Sequence, residues 1–223
     1  METSPKKKKK RIRQVTDKLE VIPLAQKKKK EETQPITIPD EYILISADLS
    51  LKRPGFCVLH VGKKDGNAVI EQCELMSVDN KTKTKPRGQL LQEIATAFIK
   101  LLQTANKPVF LAREQCINNC GGKMAHGSTA ARTGISAVVG VMDLLSWEKD
   151  HLVWEEFYPT TIKKMLTGSG KAEKSQVASA LDAYLGQQNY KNDDESDAAA
   201  VAVVWLIHHN QIKQIIQEDT PSE

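Results

Sequence analysis

The chain has 223 residues, enough for one domain with a real core plus a tail. With 40% hydrophobic and 27% charged residues it has an ordinary globular composition, which excludes a collagen-like, low-complexity or wholly disordered chain. The formal net charge of +4 is unevenly placed: residues 1–34 hold twelve Lys and Arg against five acids, and the remainder carries a net of −3.

Residues 1–39 read as a disordered lysine-rich arm. It contains Lys6, Lys7, Lys8, Lys9, Lys10, Arg11, Arg13 and Lys27 to Lys30, with four prolines and almost no apolar periodicity. Such a segment cannot bury enough surface to offset the entropy of ordering. A basic arm on a slightly acidic body suits a protein that meets a polyanion, although lysine-rich tails also serve solubility alone. No apolar stretch follows the polylysine run, so no secretory signal is expected. The longest apolar run, residues 198–207, is about half of what spans a bilayer. Cys57, Cys73, Cys116 and Cys120 lack paired CxxC spacing and read as free thiols in a reducing compartment. A soluble intracellular protein is expected.

Tyr42, Ile43, Leu44 and Ile45 open a short apolar run that ends at Asp48 and reads as a buried first strand. After Pro54-Gly55, residues 56–61 and 68–76 read as two more strands, separated by turn chemistry over 62–67. Leu90, Leu91, Ile94, Phe98, Leu101 and Leu102 then recur at helical spacing and predict a helix over 87–104. A fourth strand follows at 108–112, with Glu114 just past it, then a helix over 130–147 and a fifth strand over 152–157. Helices over 160–166, 174–185 and from 194 past His208 complete the pattern. The order predicts an α/β layered domain with a mixed five-stranded sheet flanked by helices. The expected division is arm 1–39, folded domain 40–212 and a flexible acidic tail 213–223.

Asp48 and Glu114 both stand where α/β folds place their ligands, at the C-terminal ends of strands. An acid ending a strand is ordinarily just solvated, so neither decides anything alone. Asp194 and Asp197 lie in the first turn of the last helix, where acids also serve as caps and complement the helix dipole. Their spacing of three puts both on one face, which continues through the core-directed Val201 and Val204. Two acids aimed with the core face are awkward as caps alone. Four carboxylates from three elements make a site for hard ions, Mg²⁺ or Mn²⁺. Two such ions, roughly 4 Å apart, can drive phosphodiester hydrolysis. Downstream, Lys163, Lys164, Ser169, Lys171 and Lys174 surround a Gly-Ser-Gly loop and a helix start, which favours phosphate contact through backbone N–H groups and ammonium charge. A flexible linker with solvated lysines has the same composition.

At these residues the chain resembles the RuvC family of Holliday-junction resolvases, which have an RNase H-like fold. The most specific stretch is Gly168-Ser169-Gly170-Lys171-Ala172-Glu173-Lys174-Ser175-Gln176-Val177, approached through Tyr158-Pro159 and Lys163. Glu114-Gln115, Asp194 with Asp197-Ala198, and Asp48 followed by Gly55 resemble three further motifs, in the family's order, over roughly 42–209. The resemblance implies Asp48, Glu114, Asp194 and Asp197 as metal ligands, with two Mg²⁺ ions for which Mn²⁺ can substitute. It implies Lys163 and Lys174 as catalytic or phosphate-contacting lysines. It also implies a homodimer that nicks a four-way DNA junction symmetrically in recombination and repair. Lys164, Lys171, Ser169 and the arm residues Lys6 to Arg11 are the expected DNA contacts. Ala47-Asp48-Leu49-Ser50 departs from the family's Asp-Pro-Gly opening but keeps the carboxylate. Cys116-Ile117-Asn118-Asn119 stands where bacterial members place an aromatic that stacks on the junction.

Such a protein would act in the cytoplasm of a bacterial or phage-infected cell. The basic run from Pro5 to Arg11 would also suit nuclear import, and an organellar member is a further alternative. A non-catalytic nucleic-acid binder, or a nuclease for other branched DNA or RNA–DNA hybrids, would share much of this sequence. A sugar-kinase or actin-like ATPase would need a duplicated domain of about twice this length.

Overall fold

The computed structural model describes residues 36–80, 85–116 and 129–215. The arm residues Lys6 to Lys10 and Arg11 lie outside these, as do residues 117–119, Cys120 and the tail beyond Ile215.

Strands β1 (Tyr42–Asp48), β2 (Gly55–Lys64) and β3 (Asn67–Ser77) form an antiparallel meander. Asp65 and Gly66 have φ of 52° and 78°, the conformation that a two-residue hairpin requires. The turn therefore shrinks to those two residues, and β2 runs on to Lys64. Next come α1 (Arg87–Thr104), β4 (Val109–Glu114), α2 (Thr129–Asp150) and β5 (Trp154–Phe157). Strand β4 pairs parallel with β1, and β5 pairs parallel with β4, giving the order β3-β2-β1-β4-β5. This is the mixed five-stranded sheet that the sequence predicts. Strand β5 starts at Trp154 because His151 adopts φ 55° and Leu152 N–H bonds to Ser146 O, which keeps Leu152 in the turn.

Alternation along β1 assigns its side chains to two cores. Ile43, Ile45 and Ala47 pack with Phe56, Phe98, Val138 and Met142 under α1 and α2. Tyr42 and Leu44 pack on the other face, beneath α3 (Pro159–Thr167), α4 (Lys174–Leu185) and α5 (Asp193–His208). By the same alternation Ser46 and Asp48 belong to the α5 side. Periodicity marks one core face on α5, yet every residue from Ala198 to Ile207 is buried. The sheet covers one side of this helix while α3 and α4 cover the other. Burying a Val, Leu or Ile stabilises by roughly 1.5–3 kcal/mol, so packing fixes where α5 lies. Its acidic start is carried to the sheet edge as a consequence. No helix among the described residues is long and apolar enough to cross a membrane.

Candidate functional site

Asp48 is the last residue of β1, and the antiparallel register sets it opposite Gly55 on β2. On its other side Ala47 pairs with Arg113, so Glu114, one residue further along β4, ends its strand beside Asp48. Two contacts bring the start of α5 to this edge. Ser46 Oγ donates to the main-chain oxygen of Ala198 at 2.7 Å, a buried bond between β1 and α5. Gly55 lies so close to the main-chain carbonyl of Asp194 that a Cβ there would overlap it. Asp48, Glu114, Asp194 and Asp197, predicted from separate stretches of sequence, are thus gathered at one end of the sheet.

The first turn of α5 holds one acid that plays another part. Glu195 is fully buried and accepts from Ser77 Oγ and from the main-chain N–H of Lys191, both at 2.8 Å. Asn192 caps the helix through its Oδ1, which accepts from the Glu195 N–H at 3.1 Å, and its Nδ2 donates to Ser77 Oγ. A buried carboxylate held by donors is an anchor. It fixes the rotation of α5 and leaves Asp194 and Asp197 half-exposed.

Burial pushes the Asp48 carboxyl up to about 7, reinforced by the negative charge of Glu114, Asp197 and Asp194 and opposed by Lys174. Burial likewise raises Glu114 to about 7, with Asp197 adding to it and Lys163 and Lys174 counteracting. Asp197 is raised by burial and neighbouring acids against the pull of Lys174 and Lys163. Half-buried carboxylates that oppose one another's ionisation hold their protons more tightly than free acids do, unless a cation takes the proton's place. A divalent cation bound by oxygen ligands can do so, and Asp48, Glu114, Asp194 and Asp197 are the residues that would hold it.

The lysines come to the same place. Lys174 Nζ donates to Asp193 Oδ2 at 2.8 Å and lies 3.8 Å from Asp197 Oδ2. Lys163 on α3 is half-buried and acts electrostatically on both Glu114 and Asp197. Arg53, in the β1–β2 turn, places Nε 3.7 Å from Asp194 Oδ2. Arg53 is a lone basic residue in a turn and carries no periodic or motif signal in the sequence.

The Gly-Ser-Gly loop is folded on itself. Gly168 ends α3 at φ 81° and donates its N–H to Lys164 O. The N–H of Ser169 donates to Thr167 Oγ1, that of Lys171 to Ser169 Oγ, and that of Ala172 to Ser169 O. At the start of α4, Glu173 and Gln176 form a reciprocal capping box. These four N–H groups are engaged within the chain, and the helix start carries an acid at its N-cap. Lys164, Lys171 and Lys174 are all exposed, and so is Ser169. Cys57, Cys73 and Cys116 are free thiols. Cys116, two residues past Glu114, is raised to about 11 chiefly by burial, so it stays protonated and is a poor nucleophile.

Residues 47–205 match the family model described as crossover junction endodeoxyribonuclease RuvC. The chain is 27% identical to the protein of that name from Orientia tsutsugamushi (strain Ikeda) over 173 residues, covering 78% of this chain and 99% of that one. It is also 27% identical to the one from Rhodopseudomonas palustris (strain TIE-1) over 172 residues, 77% of this chain and 91% of the other. Among solved structures it is similar to Thermus thermophilus RuvC in complex with Holliday junction substrate. That likeness has a TM-score of 0.59 at 18% identity, over 78% of this chain and 99% of the other.

Proposed function

The chain belongs to the RuvC family of crossover junction endodeoxyribonucleases, and on that premise we propose that it resolves four-way DNA junctions by paired symmetric nicks. The observation that carries this reading is the gathering of Asp48 and Glu114 at adjacent strand ends beneath the start of α5, with their proton affinities raised together. A protein that only bound DNA would gain nothing from massing negative charge where phosphate must approach.

Catalysis in this family is metal-dependent, and the finer proposal is Mg²⁺, two ions, with Mn²⁺ able to substitute. Asp48, Glu114, Asp194 and Asp197 would hold them, and when bound they supply an activated water and stabilise the leaving 3′ oxygen. The remaining steps fall to side chains of this chain. Lys163 and Lys174 stand beside the acids, where they stabilise negative charge gathering on the scissile phosphate. Lys174 is held there by Asp193 at 2.8 Å, so it is poised before DNA arrives. Arg53, on the Asp194 side, offers a guanidinium to the next phosphate along the strand. Lys164, Lys171 and Ser169 extend the cationic rim, and the arm residues Lys6 to Lys10 and Arg11 add affinity that does not depend on sequence.

The functional unit is a homodimer, because two strands must be cut symmetrically. Leu144 and Trp147, three apart on α2, and Val153 just beyond it are large apolar side chains left 56–73% exposed, the kind of surface that a second copy covers. The bacterial origin of the curated relatives supports action on DNA in the cytoplasm.

The test is Asp48→Asn. It is expected to abolish cutting of a labelled four-way junction while junction binding is kept or tightened, since one repelling charge is gone. A variant that still cuts would remove Asp48 from the chemistry.

A further inference from the structure

The acids sit at the N-terminal end of α5, and its C-terminal end carries a different cluster. Glu155 on β5, His208 at the last position of α5 and His209 at its C-cap each offer one ligand atom, all within 4.8 Å of one another. From Asp197 to His208 the helix axis advances about 16 Å, which separates this cluster from the nuclease acids.

Neighbours in a helix ordinarily point about 100° apart, so adjacent histidines seldom share a target. Here the helix ends between them. His209 has φ −88° and ψ 12°, and its N–H bonds to Ile207 O and Trp205 O, which tightens the last turn. The two imidazole centroids are then 5.1 Å apart, edge to face. Both rings pack on aromatic side chains: the Trp205 ring centroid lies 4.3 Å from that of His209, and Phe157 lies 5.6 Å from His208. Both Nε2 atoms approach one carboxylate, His209 at 2.8 Å from Oε2 and His208 at 3.6 Å from Oε1. His209 is only 16% exposed and Glu155 29%, whereas His208 is 54% exposed.

We infer that Glu155, His208 and His209 form a binding site for a borderline transition-metal ion, Zn²⁺ by preference, that joins the edge strand β5 to the C-terminal end of α5. Two imidazole nitrogens and one carboxylate oxygen form a donor set that suits Zn²⁺, whereas hard Mg²⁺ prefers oxygen alone. Tetrahedral bonds of about 2.0–2.1 Å set ligand atoms about 3.3–3.4 Å apart, so three ligand atoms within 4.8 Å of one another need only a small contraction to enclose the ion. A simple proton-sharing pair would account for His209 and Glu155. His208 approaches the other oxygen of the same carboxylate at 3.6 Å, an ion-pair distance beyond hydrogen-bond length, so both imidazoles face one acid. Three protein ligands leave the fourth position to water on the exposed His208 side. The site couples the last turn of the central helix to the sheet, and it stands whether or not the nuclease assignment does.

The test uses the full-length protein in millimolar Mg²⁺, titrated with Zn²⁺ by calorimetry and followed by thermal melting. Co²⁺ serves as the visible-spectrum probe of a tetrahedral site. Two variants separate the sites: His208→Ala, which alters a half-exposed side chain and should fold, and Asp48→Asn, which alters the nuclease acids. The wild type is expected to bind Zn²⁺ despite Mg²⁺ and to melt at a higher temperature. His208→Ala should weaken Zn²⁺ binding by roughly tenfold or more, with the response to Mg²⁺ unchanged, and Asp48→Asn should bind Zn²⁺ as the wild type does. No Zn²⁺ binding by the wild type, binding indifferent to His208→Ala, or binding lost in Asp48→Asn would each overturn the inference.

Discussion

Gly55 lies against the main-chain carbonyl of Asp194, with no room between them for a Cβ. The same residue is the register partner of Asp48. One glycine therefore sets both the strand end that presents Asp48 and the distance at which the start of α5 can settle. Gly55→Ala is expected to cost roughly 1–3 kcal/mol as an overpacking change and to push Asp194 away from the strand ends. Thermal melting with and without Mg²⁺ checks this: both the melting temperature and the gain on adding metal should fall. An unchanged gain would mean that Gly55 does not position the acids.

The pH dependence of the metal-free protein follows from Asp48 and Glu114, each raised to about 7 in the fold from ordinary values of 3.8 and 4.5. Between those limits the folded chain holds more protons than the unfolded one, so stability falls as pH rises through the window. In a chelator the protein should melt lower at about pH 8 than at about pH 5, and Asp48→Asn should flatten that slope. Mg²⁺ should restore stability at the higher pH but not the lower, because its ligands must be deprotonated. A wild-type slope identical to that of Asp48→Asn would contradict the assignment.

Lys174 separates catalysis from stability. Its side chain is 69% exposed, and such a surface ion pair with Asp193 contributes little to stability. Lys174→Met should therefore melt almost as the wild type does, while junction cleavage falls by roughly 10²–10³. Equal, small losses in both would make Lys174 a solvated surface charge.

Much of this arrangement was legible in the sequence, for reasons that differ by element. Tyr42 to Ile45, the helical spacing from Leu90 to Leu102 and the apolar run after Asp197 are strong periodic or continuous signals, and all became the expected elements. The positions of Asp48 and Glu114 at strand ends followed from those signals. Other relationships are tertiary and leave no local trace. Nothing in Asp193 to Asp197 says that Glu195 turns inward to Ser77, because its partner is 118 residues away. The composition of the loop over Gly168 to Gly170 suits phosphate contact through main-chain N–H groups, yet the N–H of Gly168 bonds to Lys164 O and that of Ser169 to Thr167 Oγ1. Glu155 meets His208 and His209 only because the edge strand and the end of α5 come together, and that pairing has no sequence spacing to announce it.

The arm is a matter of charge alone. Residues 1–34 carry twelve basic side chains against five acids. Deleting them should weaken junction binding and flatten its dependence on salt, since fewer counterions are released, without moving the nick positions. An unchanged salt slope would show that the arm does not touch DNA.

The most direct measurement is to map nicks on a synthetic four-way junction, labelled in turn on each strand, in Mg²⁺. Matched duplex, flap and RNA–DNA hybrid controls belong beside it, with Asp48→Asn. The account predicts paired nicks at symmetric positions in two opposed strands, ends that a ligase can seal, and loss of both nicks in the variant. Junction binding without cutting, or unpaired cutting of every branched form, would contradict it.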